Sequence, residues 1–246
     1  MSQFFKQVKF ITGSNPVECI VNNSGIDYPK NTIPGDNRAW EFSGFQKGID
    51  YLGKKMEFVE GDIFVIANDT YSSHRNFSML DLLCYKMAVN RIRLEPTPFI
   101  IGEKCLLDKS SKVSGLDIDS WVSTYFFVAN GRFIKNMGGF VKFGDSDGIE
   151  VSDRGVEFGG AVDDDLCRHI NRWLFPEGEK GWYRAKNSDS ALLKKKAISI
   201  LNEKYLSAKC IAVGGQLYDV YSSWLGKVTK KINKRLVQKH ANLGGK

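Results

Sequence analysis

Four short polar clusters in this sequence have residue types and positions that could do chemistry. The first is Asn68-Asp69-Thr70, which ends the apolar run IFVIAN from Ile63 to Asn68. A carboxylate there can hold a divalent cation through hard oxygen ligands, with phosphate oxygens completing the shell. The same three residue types favour helix caps and turns, so the triplet also has a purely structural reading. The second cluster is Asn22-Asn23, in the polar turn after Val17 to Val21, where amides either touch a ligand or simply turn the chain. Asn37 and Arg38 form the third, ahead of a helical pattern; an amide and a guanidinium at a helix N-terminus suit phosphate. The fourth is Asp163-Asp164-Asp165, at the start of another helical pattern, where carboxylates complement the helix dipole whether or not they react.

Positioning these clusters requires strands that end where helices begin. Ile63 to Asn68 reads as a strand buried on both faces of a parallel sheet, and ligands of open α/β sheets sit outside the carboxyl ends of such strands. Val17 to Val21 is a second, shorter strand, and Phe4 to Ile11 is a helix or a strand. A helix starting near Ala39 and ending near Leu52 would present Phe42, Phe45, Ile49 and Leu52 on one face, capped by Asp36-Asn37 and stopped by Gly53. Ser78 to Val89 reads as a further helix, Phe99 to Gly102 as a short apolar piece, KSSKVSGLDIDS at 109–120 as a polar loop, Trp121 to Ala129 as one long strand, and Arg132 to Met137 as a short helix. The acidic, Gly-rich stretch 144–165 reads as an irregular loop or lid before the Asp163 helix. Ala191 to Leu206 is a helix with Leu193, Ala197, Ile200, Leu201 and Tyr205 inward, and Cys210 to Val213 a last short strand.

The totals are those of an ordinary globular chain: 246 residues, 42% hydrophobic and 26% charged, enough to bury a full core. There is no apolar run of the roughly 18 residues that a membrane span needs, and no signal peptide, which predicts a cytosolic protein. Five cysteines and three histidines are scattered singly, without the pairing of a zinc site or a disulfide framework. The net charge of +7 is localised: seven basic residues and no acid stand from Lys227 onward, so the first 226 residues are balanced. Residues 222–240 put Leu225, Val228, Ile232 and Leu236 on one helical face with lysines around the rest. That pattern suits a basic amphipathic helix on an anionic membrane, with Trp224 as interfacial anchor, or a surface helix packed on the body. The neutral body and the lack of a stacking platform in the tail argue against a nucleic-acid partner, and RNA binding through the tail ranks below the other readings.

Taken in order, the pieces resemble the bacterial family 2-like glycosyltransferases of the GT-A fold, especially those of O-antigen and capsule synthesis. VECIVNNSG at 17–25 looks like the family's base-contacting turn, DNRAWEFSGFQKGI at 36–49 like the segment opening its next helix, IFVIANDT at 63–70 like the strand into its D-x-D metal motif, and STYFFVANGRFIKNMGGF at 123–140 like its acceptor-side strand and helix. The resemblance implies an α/β fold with a mixed, mostly parallel Rossmann-like sheet over residues 1–221, its usual first strand missing or reduced to Gln7 to Thr12, and a separate basic tail at 222–246. It implies transfer of a sugar from a nucleotide-sugar donor to a saccharide or lipid-linked acceptor at the inner face of the cell membrane. Asn22 and Asn23 would face the base, Asn37 and Arg38 the nucleotide-sugar, Asn68 the diphosphate, and Asp69 a Mg²⁺ or Mn²⁺ ion. The base that deprotonates the acceptor would be Asp164 or Asp163, with Glu157 in reserve. The alternative is a degenerate, non-catalytic domain of the same fold acting within a polysaccharide assembly complex.

Overall fold

The computed structural model describes residues 3–22, 32–73, 77–152, 155–176, 181–182 and 188–243. Its elements are α1 (Gln3–Thr12), β1 (Ile20–Asn22), β2 (Thr32–Pro34), α2 (Glu41–Gly53), β3 (Ile63–Ala67), α3 (Thr70–Ser73), α4 (Met79–Ile92), β4 (Phe99–Gly102), β5 (Lys104–Val113), β6 (Leu116–Val122), β7 (Phe126–Asn130), α5 (Gly131–Asn136), β8 (Glu150–Ser152), β9 (Gly155–Glu157), α6 (Asp164–Leu174), α7 (Ser190–Ala212), β10 (Gln216–Asp219) and α8 (Trp224–Leu243).

The centre is a four-stranded sheet of order β10-β4-β7-β3. All residues of β4 and β7 are buried, as their nearly unbroken apolar sequences demand. Alternate side chains enter two cores. Ile100, Phe127 and Ala129 meet Phe42 and Phe45 of α2, Leu166 and Ile170 of α6, and Ala197 and Leu201 of α7. On the opposite face Phe99, Ile101, Phe126 and Val128 meet Ile11 of α1 and Leu82, Tyr85 and Val89 of α4. Each large apolar side chain buried this way contributes roughly 1.5–3 kcal/mol, so the three layers hold one another. The Tyr85 hydroxyl reaches into the second core and donates to the Phe126 carbonyl at 2.8 Å.

The molecule is a mixed α/β protein, and several expectations need correction. The central sheet is not mostly parallel: β4 and β10 are parallel, whereas β7 runs antiparallel to both β4 and β3. β3 is an edge strand, with both faces covered but every residue partly exposed. β1 does not join it but pairs in parallel with β2 as a separate two-stranded sheet. The segment Gln7 to Thr12 is helical, because Phe5, Val8 and Ile11 bury one face at i, i+3, i+6. The stretch 109–120, read as a loop, lies within the hairpin β5–β6, and the run Trp121 to Ala129 breaks into two strands at Ser123–Tyr125. The stretch 144–165 contains the small hairpin β8–β9. Cys210 to Val213 is not a strand, since α7 continues to Ala212.

Two buried amides fix the joints of this frame. Asn130 caps α5, its carbonyl oxygen accepting from the amides of Phe133 at 3.0 Å and Phe99 at 3.1 Å, while its own amide donates to Thr97. Beside it, Gly131 is approached so closely by the backbone of Val59 that a Cβ would lie 1.9 Å from the Val59 carbonyl oxygen. Asn202 of α7 is fully buried; its carbonyl oxygen accepts from the amides of Lys142 (2.8 Å) and Phe143 (3.0 Å), and its amide donates to the carbonyls of Phe143 and Ile198.

The tail helix is anchored on the body at its start. Thr229 is fully buried, with the Cys84 thiol 3.7 Å from its hydroxyl, and Leu225 packs on the second core. Asp81, buried beneath the tail, accepts from Tyr221 at 2.5 Å and Asn233 at 2.8 Å on one oxygen, and from Ser78 on the other. Lys230 pairs with Glu103 at 3.3 Å. Trp224 remains 79% exposed and Ile232 40% exposed, on the outer side with Lys227 and Lys231. Among the described residues no helix is long and apolar enough to cross a membrane.

Asn202→Ala leaves two buried amide hydrogens and a carbonyl without partners, at roughly 1–3 kcal/mol for each unsatisfied group. The expected loss is about 3 kcal/mol or more, read as a lowered denaturation midpoint with an unchanged slope.

Candidate functional site

A groove of about 2250 Å³ runs along the open edge of β3. Its walls come from α1, the segment leading into β1, α2, the Asn68–Thr70 turn, the β6–β7 junction, and one face each of α6 and α7. Asn22, Asn37, Asn68 and Asp69 all line it. Arg38, Asp163, Asp164 and Glu157 do not, and Asn23 lies outside the described residues.

Local structure explains each placement. The Asn68 side chain accepts from the Thr70 amide at 3.0 Å, so Asn68 closes an Asx turn just ahead of the short helix α3, as its residue type allows. Asp69 is exposed beside it. Asn37 stands at a φ of 53°, in the left-handed region that asparagine tolerates better than most residues. Its neighbour Arg38 folds back on Asp36 at 3.0 Å and is 82% exposed. Burial opposes ionisation of Asp36, but the Arg38 amide, Lys47, Ser43 and the Arg38 guanidinium outweigh it and hold the pKa at about 2. The expected cap on α2 is absent: the helix starts at Glu41, and Trp40, at a φ of 50°, makes no side-chain cap bond. Asp163 is engaged structurally: one oxygen accepts from the Leu166 amide at 2.9 Å as the cap of α6, the other from Lys112 at 2.6 Å. The helix-start reading accounts for that acidic run, and neither Asp163 nor Asp164 reaches the groove.

The groove instead gathers charged residues that the sequence reading had not singled out. On α7, Lys196, Ser199 and Glu203 recur at i, i+3, i+7 and face it, with Lys204 alongside. Ser199 donates to Glu41 at 2.9 Å. Burial pushes the Glu41 carboxyl up, against the opposing influence of Lys196 and the Ser199 hydrogen bond. Glu203 accepts from both the amide and the hydroxyl of Thr124 at 2.9 Å. Lys204 is 3% exposed, lies over the Trp121 ring at 3.2 Å from its centroid, and meets Glu203 at 3.4 Å. Burial lowers the Lys204 pKa to about 8 despite Glu203. His169 packs edge-on to Trp121 at 5.4 Å, and burial, followed by Lys204, lowers its pKa. Lys196 lies 5.3 Å from the Trp40 ring and 5.6 Å from that of Trp173, and Trp173 stacks on Trp182. The available signal was a polar triplet, Asn202-Glu203-Lys204, set between Ile200-Leu201 and Tyr205-Leu206 in the middle of α7.

The two sets adjoin. The Asn68 amide donates to the Tyr125 carbonyl at 3.2 Å, and Tyr125 follows the Thr124 that Glu203 holds. The Asp69 turn is therefore one residue removed from the Glu203 clamp. Among the described residues no group of three His, Cys, Asp or Glu side chains is placed to hold a metal ion. Asp69 supplies a single carboxylate, which does not fix a hard cation without further oxygen donors from a ligand. Comparison of the chain with protein-family models, curated proteins and solved structures finds no match.

Below pH 8 the folded chain carries a buried Lys204 cation that the unfolded chain would hold in water. The native state loses this proton near pH 8, whereas the ordinary lysine value is 10.5, so this group makes stability rise as pH climbs between the two. Denaturation series on wild type and Lys204→Met should show their stability difference moving in favour of wild type across that window. A pH-independent difference would contradict the assignment.

Proposed function

We propose that the protein transfers a sugar from a nucleotide-sugar donor to a hydroxyl of a saccharide or lipid-linked acceptor, in surface polysaccharide assembly, as a GT-A-like enzyme. The observation that carries this reading is the convergence of Asn22, Asn37, Asn68 and Asp69 with Glu41, Lys196, Glu203 and Lys204 in one groove. Amides on one wall suit a nucleotide and its phosphates, lysines suit the charge that develops on a departing diphosphate, and indole faces suit a sugar ring.

In the proposed reaction the acceptor oxygen bonds to the anomeric carbon as the bond from that carbon to the diphosphate oxygen breaks. The bonding pair leaves with the nucleoside diphosphate, and the acceptor proton passes to a carboxylate. Of the groove carboxylates, Glu203 is held by Thr124 and Asp62 by the Val59 amide, Glu57 and Asp69 are exposed, and Glu41, partly buried with Ser199 on one oxygen, is the proton acceptor we assign in place of Asp163 or Asp164. A carboxylate with a raised pKa is a stronger base once ionised. Asp69 with the oxygens of a bound diphosphate is the arrangement in which a divalent cation could take part, and no step here depends on it. The single carboxylate equally favours the rival reading, a non-catalytic domain of this fold within an assembly complex, which nucleotide titration separates from the first.

Incubation with a panel of nucleotide-sugars, with and without Mn²⁺, should release nucleoside diphosphate for at least one donor. Glu41→Gln should lower kcat by about 10²–10⁴-fold without loss of melting temperature. Asp69→Ala should weaken turnover with little effect on folding, since an exposed carboxylate supports no core. In the wild type, turnover should fall as pH drops through the raised Glu41 value. Silence across all donors would sink the proposal.

The outer face of α8, with Trp224, Lys227, Lys231 and Ile232, fits the interface of an anionic bilayer, where each basic side chain contributes about 1 kcal/mol. On this reading the protein works at the inner face of the cell membrane. Co-sedimentation with phosphatidylserine vesicles, lost in high salt and in a Lys227→Gln/Lys231→Gln variant, is the expected result; equal binding to neutral vesicles would contradict it.

A further inference from the structure

The joint between β10 and α8 holds a second concavity, of about 400 Å³. Asp219, Tyr221 and Ser222 form one side and Lys227, Lys230 and Lys231 the other, and none of these residues lines the groove along β3. Gly226 lets it form: the start of α8 lies so close to the chain before it that a Cβ there would stand 2.5 Å from the Tyr221 Cα. The Ser223 side chain accepts from the Gly226 amide at 3.0 Å and its carbonyl from the Lys227 amide at 2.9 Å, which sets the direction in which the helix leaves. Lys227, Lys230 and Lys231, at i, i+3 and i+4, then fall on one face of α8.

The charges of this concavity are unequally matched. Lys230 meets Glu103 at 3.3 Å and lies 5.7 Å from the Tyr221 ring, whose hydroxyl is committed to Asp81. Among the described residues Lys227 and Lys231 have no acidic partner, and the exposed Ser222 hydroxyl makes no hydrogen bond. Asp219 opposes an anion, but one of its oxygens accepts from the backbone amides of Lys104 at 3.4 Å and Tyr221 at 3.1 Å, so it is held as part of the wall. Three ammonium groups thus face two carboxylates, Asp219 and Glu103, and the excess positive charge stands on the side of Lys227 and Lys231.

We propose that this concavity is a binding site for a phosphate monoester, supplied by the headgroup of a membrane lipid. A phosphate monoester carries about −1.5 to −2 charges at pH 7 and three strong acceptor oxygens. The ammonium groups of Lys227, Lys230 and Lys231 and the Ser222 hydroxyl supply donors enough for all three oxygens. A carboxylate or a phosphodiester brings a single charge, and Asp219 and Glu103 leave little net attraction for it. Trp224 and Ile232 are exposed beside this face, and an indole so placed settles at the level of lipid headgroups. The lipid as source therefore rests on the membrane reading of α8, whereas the phosphate site does not, and neither draws on the transfer reaction.

The test is co-sedimentation of the full chain with vesicles of phosphatidic acid or of phosphatidylserine, each diluted in phosphatidylcholine and matched in zeta potential. Phosphatidic acid should be bound at least about tenfold more tightly, since several charge-assisted bonds reach one group. Lys230→Gln should abolish that preference and keep phosphatidylserine binding, because Lys230 stands inside the concavity and not among the outer residues; Lys230→Arg should retain it. An exposed ion pair adds little to folding, so both variants should melt with the wild type. Inorganic phosphate, added without vesicles, should shift the amide resonances of residues 219–222 and 227–231, with chloride at equal ionic strength as the control. Phosphate shifts without a preference for phosphatidic acid would keep the site and overturn the lipid as its source. Phosphate shifts with no binding to any vesicle would overturn the membrane reading as well. Equal binding of the two lipids, together with identical spectra in phosphate and chloride, would overturn the proposal.

Discussion

The grip of Glu203 on Thr124 is the constraint on which the rest of the arrangement depends. Thr124 lies where the apolar run from Trp121 to Ala129 stops being hairpin and becomes central sheet, and one carboxylate oxygen takes both its amide and its hydroxyl hydrogen. Without that acceptor, two polar hydrogens at a buried chain break would have no partner, and continuing the strand would be the cheaper conformation. The clamp fixes α7 against the sheet, brings Trp121 under Lys204, and sets Tyr125 where its carbonyl receives the Asn68 amide. A single side chain thus relates the turn bearing Asp69 to the helix bearing Lys196, Ser199 and Lys204.

Asn202, immediately before Glu203, acts about 100° around the same helical turn. Three of its four hydrogen bonds hold residues 142–143 to α7, the fourth going to Ile198 of the same helix, so that adjacent residues tie the helix to two different parts of the chain. This leaves the helix little freedom to rotate about its axis. Lys204 can then remain buried as a cation against Trp121, with Glu203 as its counter-charge, because neither partner can turn away to water.

Much of the frame was legible because hydrophobic periodicity reports burial directly. Leu193, Ala197, Ile200 and Leu201 of α7 are buried as their spacing requires, and Phe42 and Phe45 of α2 enter the core. Pairing was less legible. The same apolar run that marks a strand covered on both faces fits a parallel neighbour or an antiparallel one, and β3 has only the latter. The hairpin β5–β6 was hidden by its exposed polar residues, since a solvent-facing hairpin and a loop have similar compositions. At the site, Asn22, Asn37 and Asp69 could be picked out because polar residues at element ends are conspicuous. Glu41, Glu203 and Lys204 could not, because a charge inside a helix looks solvated until the neighbouring elements close over it. Asp163 shows the converse: three acids in a row drew attention, and the geometry uses one of them to start a helix.

The charged end of the groove has its own internal balance. Glu41, Glu203, Lys196 and Lys204 contribute two negative and two positive charges, and burial displaces Glu41 and Lys204 toward their neutral forms. Desolvation thus narrows the proton-affinity gap between a carboxylate and an ammonium that in water would be about six units apart. A site in that condition can accept an anion without first separating a tightly held ion pair, since Lys204 meets Glu203 only at 3.4 Å and Lys196 rests over indole rings. An arriving negative group would favour the charged forms of both lysines and strengthen its own binding, whereas a neutral ligand would gain nothing from them. On the proposed reading, an anionic ligand would complete the pairing that burial leaves weakened at Lys204 and that Lys196 finds only in indole rings.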